Sequence, residues 1–480
     1  MKTYRTIAVA VLFIAALYDA CGQDFRHIYE DFKKSAREVH RNFSDSLNAE
    51  FAKTISSNWE QFQISEPENS IISPQPDSPT IAGESDKYSG GVLKASEIVD
   101  TLALSSGDFV SYSTRTEVQN RTVSFLFYDS IQKTTIPSVY GNFHPSGISE
   151  SDVGEFWRRL GREDFSEILS SCKNIKVNCG FNDWAILEWV QALSCSIFPQ
   201  DVNSERKIFE VFLLNQMGLM AKLARMDDKF QVLFASLQPI YARRYTVIDT
   251  YQYYLVDAKQ SGSSIYTYRS DFSGKLRPLD LRIMNPLTLG NDYSYESRTF
   301  KSQVFDCIID IPINNALMSF YKEYPQTTVN VYAQSAPDKK FSDSLLGQLK
   351  AKLTGFDGSR IVNELLRFMQ YDFSYKVDSE QFGYEKQFFC EENFIYEDND
   401  CEDRAILFSF LVRKLTGRKV ILLEYDDHIA TAVRFDDGCN GHYVNFDDGR
   451  YYICDPTFIG ATVGMCMPKY IDNKARIYVL

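Results

Sequence analysis

The chain has 480 residues with a formal net charge of -13 and a pI near 5.1, and 44% of its residues are hydrophobic. This length predicts two to four domains, and the apolar fraction is typical of a folded soluble protein. The acidic balance, without a basic cluster anywhere, argues against nucleic acid or a polyphosphate surface as a partner.

The N-terminus has the pattern of a secretory signal peptide over residues 1–22. Basic residues precede an apolar run at 7–17, which is too short to span a bilayer, and small residues precede Gln23. We therefore expect an exported protein, either periplasmic or extracellular. Cys21 permits an alternative, lipid attachment as an outer-membrane lipoprotein. No later segment is long and apolar enough to be a transmembrane segment.

The rest of the chain alternates between helical and strand-like patterns, which predicts an α+β fold. In chain order we expect a helical N-terminal arm (23–64), a Pro/Ser-rich linker (65–90), a small β unit (91–145), a domain that begins with helices (146–258), a β-rich connector (259–340) and a C-terminal domain that holds the chemistry (341–480).

Cysteine usage leaves several roles open. Removal of residues 1–22 reduces ten cysteines to nine, an odd number for an exported protein. The plausible local disulfides are Cys172 with Cys179, and Cys439 with Cys454 or Cys466. Cys401 is therefore a disulfide partner, a buried thiol or a nucleophile.

Cys401 is predicted to begin a helix that ends at Gly417. Asp400 is a good N-cap, acidic residues follow in the first turn, and basic residues occupy the last turn. A helix N-terminus favours the thiolate, because its amides and dipole are positive. The flanking carboxylates oppose this unless they point away or pair with Arg404, so a nearby imidazolium must contribute.

His428 opens an alternating strand after a buried one. It shares a face with Ala430 and Ala432, which should leave space for a helix end and a substrate backbone. Asp455 ends a later strand and precedes Pro456, which favours extended backbone.

His428 and Asp455 share a sheet end only if their strands are antiparallel neighbours. A simple meander would prevent this arrangement. We therefore expect residues 436–441 to be an excursion, after which 443–446 prolongs the His428 strand.

Other side chains are less suited to the chemistry. His442 is the competing base, but a solvated hairpin position is the better interpretation. No cofactor and no metal site are expected, because the chain has five histidines and lacks CxxC or HxxxH spacing.

The motif DCEDRA opening a helix, a histidine opening the next-but-one strand and an aspartate in DPT together resemble the transglutaminase-like superfamily, whose core is a papain-like cysteine peptidase fold. The resemblance covers about 342–480 and is nearest to secreted bacterial proteins of this type. It implies Cys401 as nucleophile, His428 as base and then acid, and Asp455 as the residue that orients the imidazole. One oxyanion donor would be the Cys401 amide, and the second is expected in 388–396.

A shift of 198 residues lays 201–258 over 399–456 without gaps. YTVIDTYQYYLVD then matches YVNFDDGRYYICD, which indicates a degenerate transglutaminase-like copy at 146–258. In this register Asn203 replaces Cys401, Phe230 replaces His428, and Asp257 matches Asp455. The alternative is that both segments are simply a helix followed by an aromatic-rich hairpin.

These features favour an exported acyl-transfer enzyme with a Cys-His-Asp triad, which hydrolyses peptide or amide bonds in a protein, a peptide or a cell-wall peptide. Protein crosslinking is an alternative, but the sequence indicates no groove for an acceptor amine. The other class is a non-enzymatic surface or assembly scaffold with a relic triad.

Overall fold

The computed structural model describes residues 24–68, 79–83, 86, 90–99, 119–198, 203–257, 262–273, 275–436, 438–447 and 449–480. The predicted signal peptide, Cys21 and most of the linker lie outside these ranges. Within them, no helix has the length and apolarity needed to cross a bilayer.

The fold is mixed α+β, as predicted. The helices are α1 (Asp24–Ile55), α2 (Glu150–Arg162), α3 (Ser166–Asn178), α4 (Asp183–Ile197), α5 (Asn203–Gln216), α6 (Asn315–Glu323), α7 (Val329–Gln334), α8 (Lys339–Lys352), α9 (Gly358–Tyr371), α10 (Asp378–Gln381) and α11 (Cys401–Thr416).

The strands make two large sheets and three short pairs. They are β1 (Glu60–Gln63), β2 (Lys94–Val99), β3 (Asn120–Phe127), β4 (Ser130–Pro137), β5 (Ala221–Met226), β6 (Lys229–Ala235), β7 (Tyr245–Ile248), β8 (Tyr251–Leu255), β9 (Ser264–Thr267), β10 (Tyr295–Ser302), β11 (Cys307–Asn314), β12 (Ser374–Tyr375), β13 (Asp398–Asn399), β14 (Val420–Tyr425), β15 (His428–Arg434), β16 (Tyr443–Phe446), β17 (Gly449–Cys454) and β18 (Lys474–Val479).

The two six-stranded sheets have the same strand order. The first is β1-β9-β5-β6-β8-β7 and the second is β2-β18-β14-β15-β17-β16. All neighbours are antiparallel except β2 and β18, which are parallel. A helix precedes the central hairpin in each case, α5 before β5 and α11 before β14. Apart from the direction of the edge strand, β1 or β2, the middle and the end of the chain thus repeat one topology.

An N-terminal segment closes each sheet almost into a barrel. Beyond β1, the Ser65 amide donates to the Tyr245 carbonyl on the far edge strand β7 at 2.7 Å. Just before β2, the Leu93 amide donates to the Tyr443 carbonyl on β16 at 2.8 Å. These bonds satisfy edge-strand groups that would otherwise pair with other chains.

The pairing register corrects the predicted repeat by one residue. Tyr245 pairs with Tyr254 as Tyr443 pairs with Tyr452, so the last hairpins are 198 residues apart. Met226 pairs with Lys229, whereas Tyr425 pairs with His428, so the central hairpins are 199 residues apart.

The cause is the connection 236–244, which has one residue more than its equivalent 435–442, and a gapless shift cannot absorb this difference. Lys229, not Phe230, is therefore the counterpart of His428. The offset concerns the central hairpin, since Asn203 begins α5 as Cys401 begins α11, 198 residues later.

Several predicted boundaries differ from the structure because contacts cross them. The predicted arm is part of the core: Phe51 on α1 meets Trp157 edge-on at 4.9 Å. The predicted β unit 91–145 is divided, since β2 joins the C-terminal sheet while Phe125 on β3 packs against Trp189. Likewise β9 of the predicted connector belongs to the first sheet.

The expected local disulfides are not formed. Cys172 and Cys179 are separate thiols, because seven residues of helical rise separate them by about 10 Å, beyond the Cα spacing of a disulfide. Cys454 and Cys466, the two predicted partners of Cys439, are free thiols as well, although Cys439 lies near enough to Cys454 to act on its charge.

Replacing Phe51 by Ala should lower the free energy of unfolding by about 3–5 kcal/mol, because a buried aromatic side chain would leave a cavity between α1 and α2. Phe43→Ala on the same helix is the matched control. Phe43 is 61% exposed, so its loss should change stability by less than about 0.5 kcal/mol in urea unfolding. Equal effects of the two substitutions would contradict a packed α1.

Candidate functional site

Cys401 lies at the first position of α11, as predicted, and its thiol forms no disulfide. Asp400 precedes it in extended conformation, and Gly417 ends the helix with φ of 69°. The thiol is completely buried and donates to Glu402 Oε2 at 3.1 Å.

Three influences set the pKa of this thiol. Burial raises it well above its ordinary value, and the carboxylates of Glu402 and Asp400 add to that. The backbone N–H of Ile429, one residue after His428, faces the sulfur and lowers the pKa. Burial and the carboxylates outweigh this amide, so the resting thiol is protonated.

The imidazole of His428 and the carboxylate of Asp455 form a buried hydrogen bond. Their Nε2 and Oδ2 atoms are 2.8 Å apart. Asp455 Oδ1 accepts from the Thr457 amide at 2.9 Å, which fixes the carboxylate. A carboxylate accepts, so Nε2 carries the proton in the neutral ring. Nδ1 is buried without a hydrogen-bond partner in the described part of the chain, and its lone pair is left to accept a proton.

Strand topology explains how this pair forms. β15 and β17 are antiparallel neighbours with Thr431 opposite Cys454, so His428 and Asp455 reach the same end of the sheet. The predicted route is wrong, since 443–446 does not prolong β15. It is a separate strand, β16, on the far side of β17.

The predicted open face beside the imidazole is also wrong. Ala430 and Ala432 pack in a second hydrophobic cluster, whereas Ile429 and Val433 lie in the main core that contains α11. The pleat places these pairs on opposite faces of the sheet. The helix that carries the thiol packs on the other face of the sheet, so the small residues next to His428 do not provide space for it.

Tyr470 was not anticipated. Its ring stacks on His428 with centroids 5.0 Å apart and planes 15° apart, and Tyr425 stacks on Tyr470 at 4.5 Å. The Tyr470 hydroxyl donates to Asp427 Oδ1 at 3.0 Å. Tyr470 therefore orients the imidazole plane. No sequence pattern marks it, because it lies in a short irregular segment.

Gln370 on α9 was missed as well. Its amide nitrogen donates to the backbone carbonyls of Asp455 at 3.3 Å and Ala461 at 3.1 Å, and its oxygen accepts from the Gly460 amide. This buried side chain fixes the loop after β17. The sequence offers no sign of it beyond a polar residue in an apolar helix pattern.

Four carboxylates surround the helix end that carries the thiol. Asp378 and Glu385 come from the preceding loop, and Asp400 and Glu402 flank Cys401. One oxygen from each lies within 4.8 Å of the others. Burial raises the pKa of Glu402 to about 8 and that of Asp378 to about 7, with neighbouring carboxylates adding to both shifts.

Arg404 forms no salt bridge with these carboxylates, although its charge acts on Asp400 and on the Cys401 sulfur. Its guanidinium donates to Asn399 Oδ1 and to the Phe373 carbonyl, each at 2.8 Å. Asp403 does turn away, and it accepts from the Phe388 amide at 2.8 Å. Glu402 and Asp400 are therefore the carboxylates that raise the pKa of the thiol.

In 388–396, the Phe388 and Phe389 amides are bound to carboxylates, so neither is free to be the second oxyanion donor, whose position in this stretch stays a prediction. The expectation for His442 is wrong. It is buried, not solvated: only 3% of it is exposed, and its amide donates to the Gly464 carbonyl. β17 separates its strand from β15.

Comparisons with protein-family models, with curated proteins and with solved structures found no match to this chain. The site is therefore interpreted from its own geometry.

A double-mutant cycle tests the His-Asp pair without reference to activity. Asp455→Ala and His428→Ala should each destabilise the protein, and the cycle should give a coupling energy of about 1–3 kcal/mol, because the two groups share one buried hydrogen bond. Urea unfolding of the four proteins measures it. Asp436→Ala, at a more exposed position, is the control partner for His428→Ala. Additive effects of Asp455→Ala and His428→Ala would contradict the pair.

Proposed function

We propose that this protein is an exported cysteine-dependent acyl-transfer enzyme that hydrolyses peptide or amide bonds in a protein, peptide or cell-wall peptide. The observation that carries the proposal is the imidazole of His428. Asp455 holds one of its nitrogens, the other is buried without a hydrogen-bond partner among the described residues, and the amide of the next residue, Ile429, faces the Cys401 sulfur.

The proposed reaction begins with proton transfer from the Cys401 thiol to His428 Nδ1. The sulfur then forms a bond to the substrate carbonyl carbon, and the leaving amine departs with the proton from the imidazolium. Water attacks the thioester, loses its proton to Nδ1, and releases the acid and the thiol. Asp455 keeps the ring in the required tautomer throughout.

Because the site is buried, the proposed reaction requires a conformation in which the site is open to the substrate. Cys401 and His428 are fully buried, so a carbonyl can reach the sulfur only when a covering segment moves. Residues 376–387, which we name the strap, connect β12 to the chain before α11 and supply Asp378 and Glu385 next to the helix end. We propose that displacement of the strap admits the substrate.

The resemblance to transglutaminase-like proteins enters here as support. The proposed papain-like unit at the C-terminus fits a helix that begins with the nucleophile, packed on an antiparallel sheet with His428 and Asp455 at one end. The first sheet, which has the same strand order, fits the proposed degenerate copy. Hydrolysis is preferred to crosslinking, because water is abundant outside the cytoplasm.

A second function, a non-enzymatic scaffold with a relic triad, is favoured by one observation. Burial and two carboxylates hold the Cys401 thiol in its protonated form. A protonated, buried thiol is a poor nucleophile, and the Cys401, His428 and Asp455 side chains can stabilise the fold without any reaction. Reactivity of the thiol separates the two proposals.

The test is acylation by p-nitrophenyl acetate, a generic activated ester, followed by peptide mapping. If the proposal holds, Cys401 is acetylated through a thioester and turns over, with nitrophenolate release reduced at least about 100-fold in His428→Ala. His442→Ala is the matched control, because it removes a buried imidazole from another strand and should leave turnover unchanged.

Exposed Cys195 is an internal reference for simple thiol chemistry in the same sample. Acetylation of Cys401 that is no faster than that of Cys195, and unaffected by His428→Ala, would refute the enzyme and favour the scaffold.

A further inference from the structure

The four acidic side chains around the N-terminus of α11 form a compact group that the proposed acyl transfer does not use. We name them the carboxylate cluster; its members are Asp378, Glu385, Asp400 and Glu402. Two come from the strap and two from the helix end. Attraction or repulsion between the two pairs therefore strengthens or weakens the contact between the strap and the helix.

Three members of the cluster are enclosed in the interior of the protein. Asp378, Asp400 and Glu402 are each at most 2% exposed, and none has a salt bridge among the described residues. The nearby Lys386 is bound instead to Glu392, at 2.6 Å. Burial and mutual repulsion raise the pKa of Glu402 to about 8 and that of Asp378 to about 7, so these groups repel one another strongly once they are ionised.

Unpartnered oxygen atoms point to what the cluster would hold. Asp378 Oδ1 is buried and has no hydrogen-bond partner in the described ranges, although Oδ2 of the same group accepts from the Lys386 amide at 2.5 Å. The carboxylate of fully buried Asp400 has no donor outside the cluster, and it faces Glu402. Native proteins seldom leave buried polar groups in this state unless an ion or water occupies the space.

We propose that a divalent cation of the calcium class binds at the carboxylate cluster and holds the strap against the N-terminus of α11. Carboxylate oxygens are the ligands that hard cations prefer. Two ligand oxygens on opposite sides of calcium are at most about 5 Å apart, which accommodates the observed span without contraction.

Calcium fits the site better than other common cations. Magnesium requires oxygens at about 2.1 Å in a regular octahedron and usually keeps several waters, which suits a buried group of four carboxylates poorly. Zinc and copper prefer imidazole and thiolate ligands. The expectation of no metal site was based on histidine and cysteine ligands only. It does not apply to a site made of carboxylates alone.

The proposed cation also bears on the thiol. Glu402 belongs to the cluster and accepts the hydrogen bond of the Cys401 sulfur. A bound cation would draw that carboxylate toward itself and offset the negative charge beside the sulfur. The inference does not depend on the proposed acyl transfer, because a scaffold would bind the ion equally well.

Calcium titration of the full mature chain, freed of metal with a chelator, tests the site. Isothermal titration calorimetry should show binding with a Kd on the order of 10⁻⁶ M or tighter, and the melting temperature should rise with calcium. Magnesium should bind at least about tenfold more weakly. The double variant Asp378→Asn/Glu385→Gln should weaken calcium binding at least about tenfold.

The same double variant has a second signature. In chelator, at a pH above about 8 where Asp378 and Glu402 are ionised, it should melt at a higher temperature than the wild type, because two mutually repelling charges have been removed. A purely structural role of these carboxylates predicts the opposite shift. Glu380→Gln, an exposed acid on α10 outside the cluster, is the matched control and should keep wild-type affinity.

Absence of calcium binding to the metal-free wild type would overturn the site. Undiminished binding by the double variant would do the same, and equal affinity for magnesium would overturn the assignment to calcium.

Discussion

The antiparallel pairing of β15 with β17 is the constraint on which the site depends. It places the first residue of one strand beside the residue that follows the other, so a hydrogen bond of 2.8 Å joins His428 to Asp455 in the interior. The chain achieves this by sending β16 to the far side of β17 before returning. A meander in chain order would have separated the two groups by the length of a strand.

Opposing electrostatic effects act on the Cys401 sulfur at the N-terminus of α11. The helix terminus and the Ile429 amide favour negative charge on sulfur, while burial and the adjacent carboxylates oppose it. A helix dipole is worth at most about 2 kcal/mol, so it cannot offset desolvation of a fully buried thiolate. A protonated resting thiol follows, so the acyl transfer proposed above requires the thiol to lose its proton first.

Local signals in the sequence predicted local structure well. The N-cap Asp400 and the C-terminal Gly417 bound α11, and the aspartate pair before His428 forms the turn between β14 and β15. Contacts between distant segments could not be predicted. The parallel pairing of Lys94 with Lys474 joins segments whose own patterns contain no information about each other. The one-residue offset in the repeat could not be predicted for a related reason, because the length of a loop produces no periodic pattern in the sequence.

The first sheet shows what the topology needs and what it does not. It keeps the strand order of the second, yet exposed Lys229 occupies the position of His428, and exposed Asp257 that of Asp455. The architecture therefore forms without a buried imidazole and carboxylate. Burying such a pair costs desolvation that its hydrogen bond does no more than offset, so stability alone is a weak reason for the second sheet to contain it. A chemical role for His428 and Asp455 explains the difference between the two sheets better than packing does.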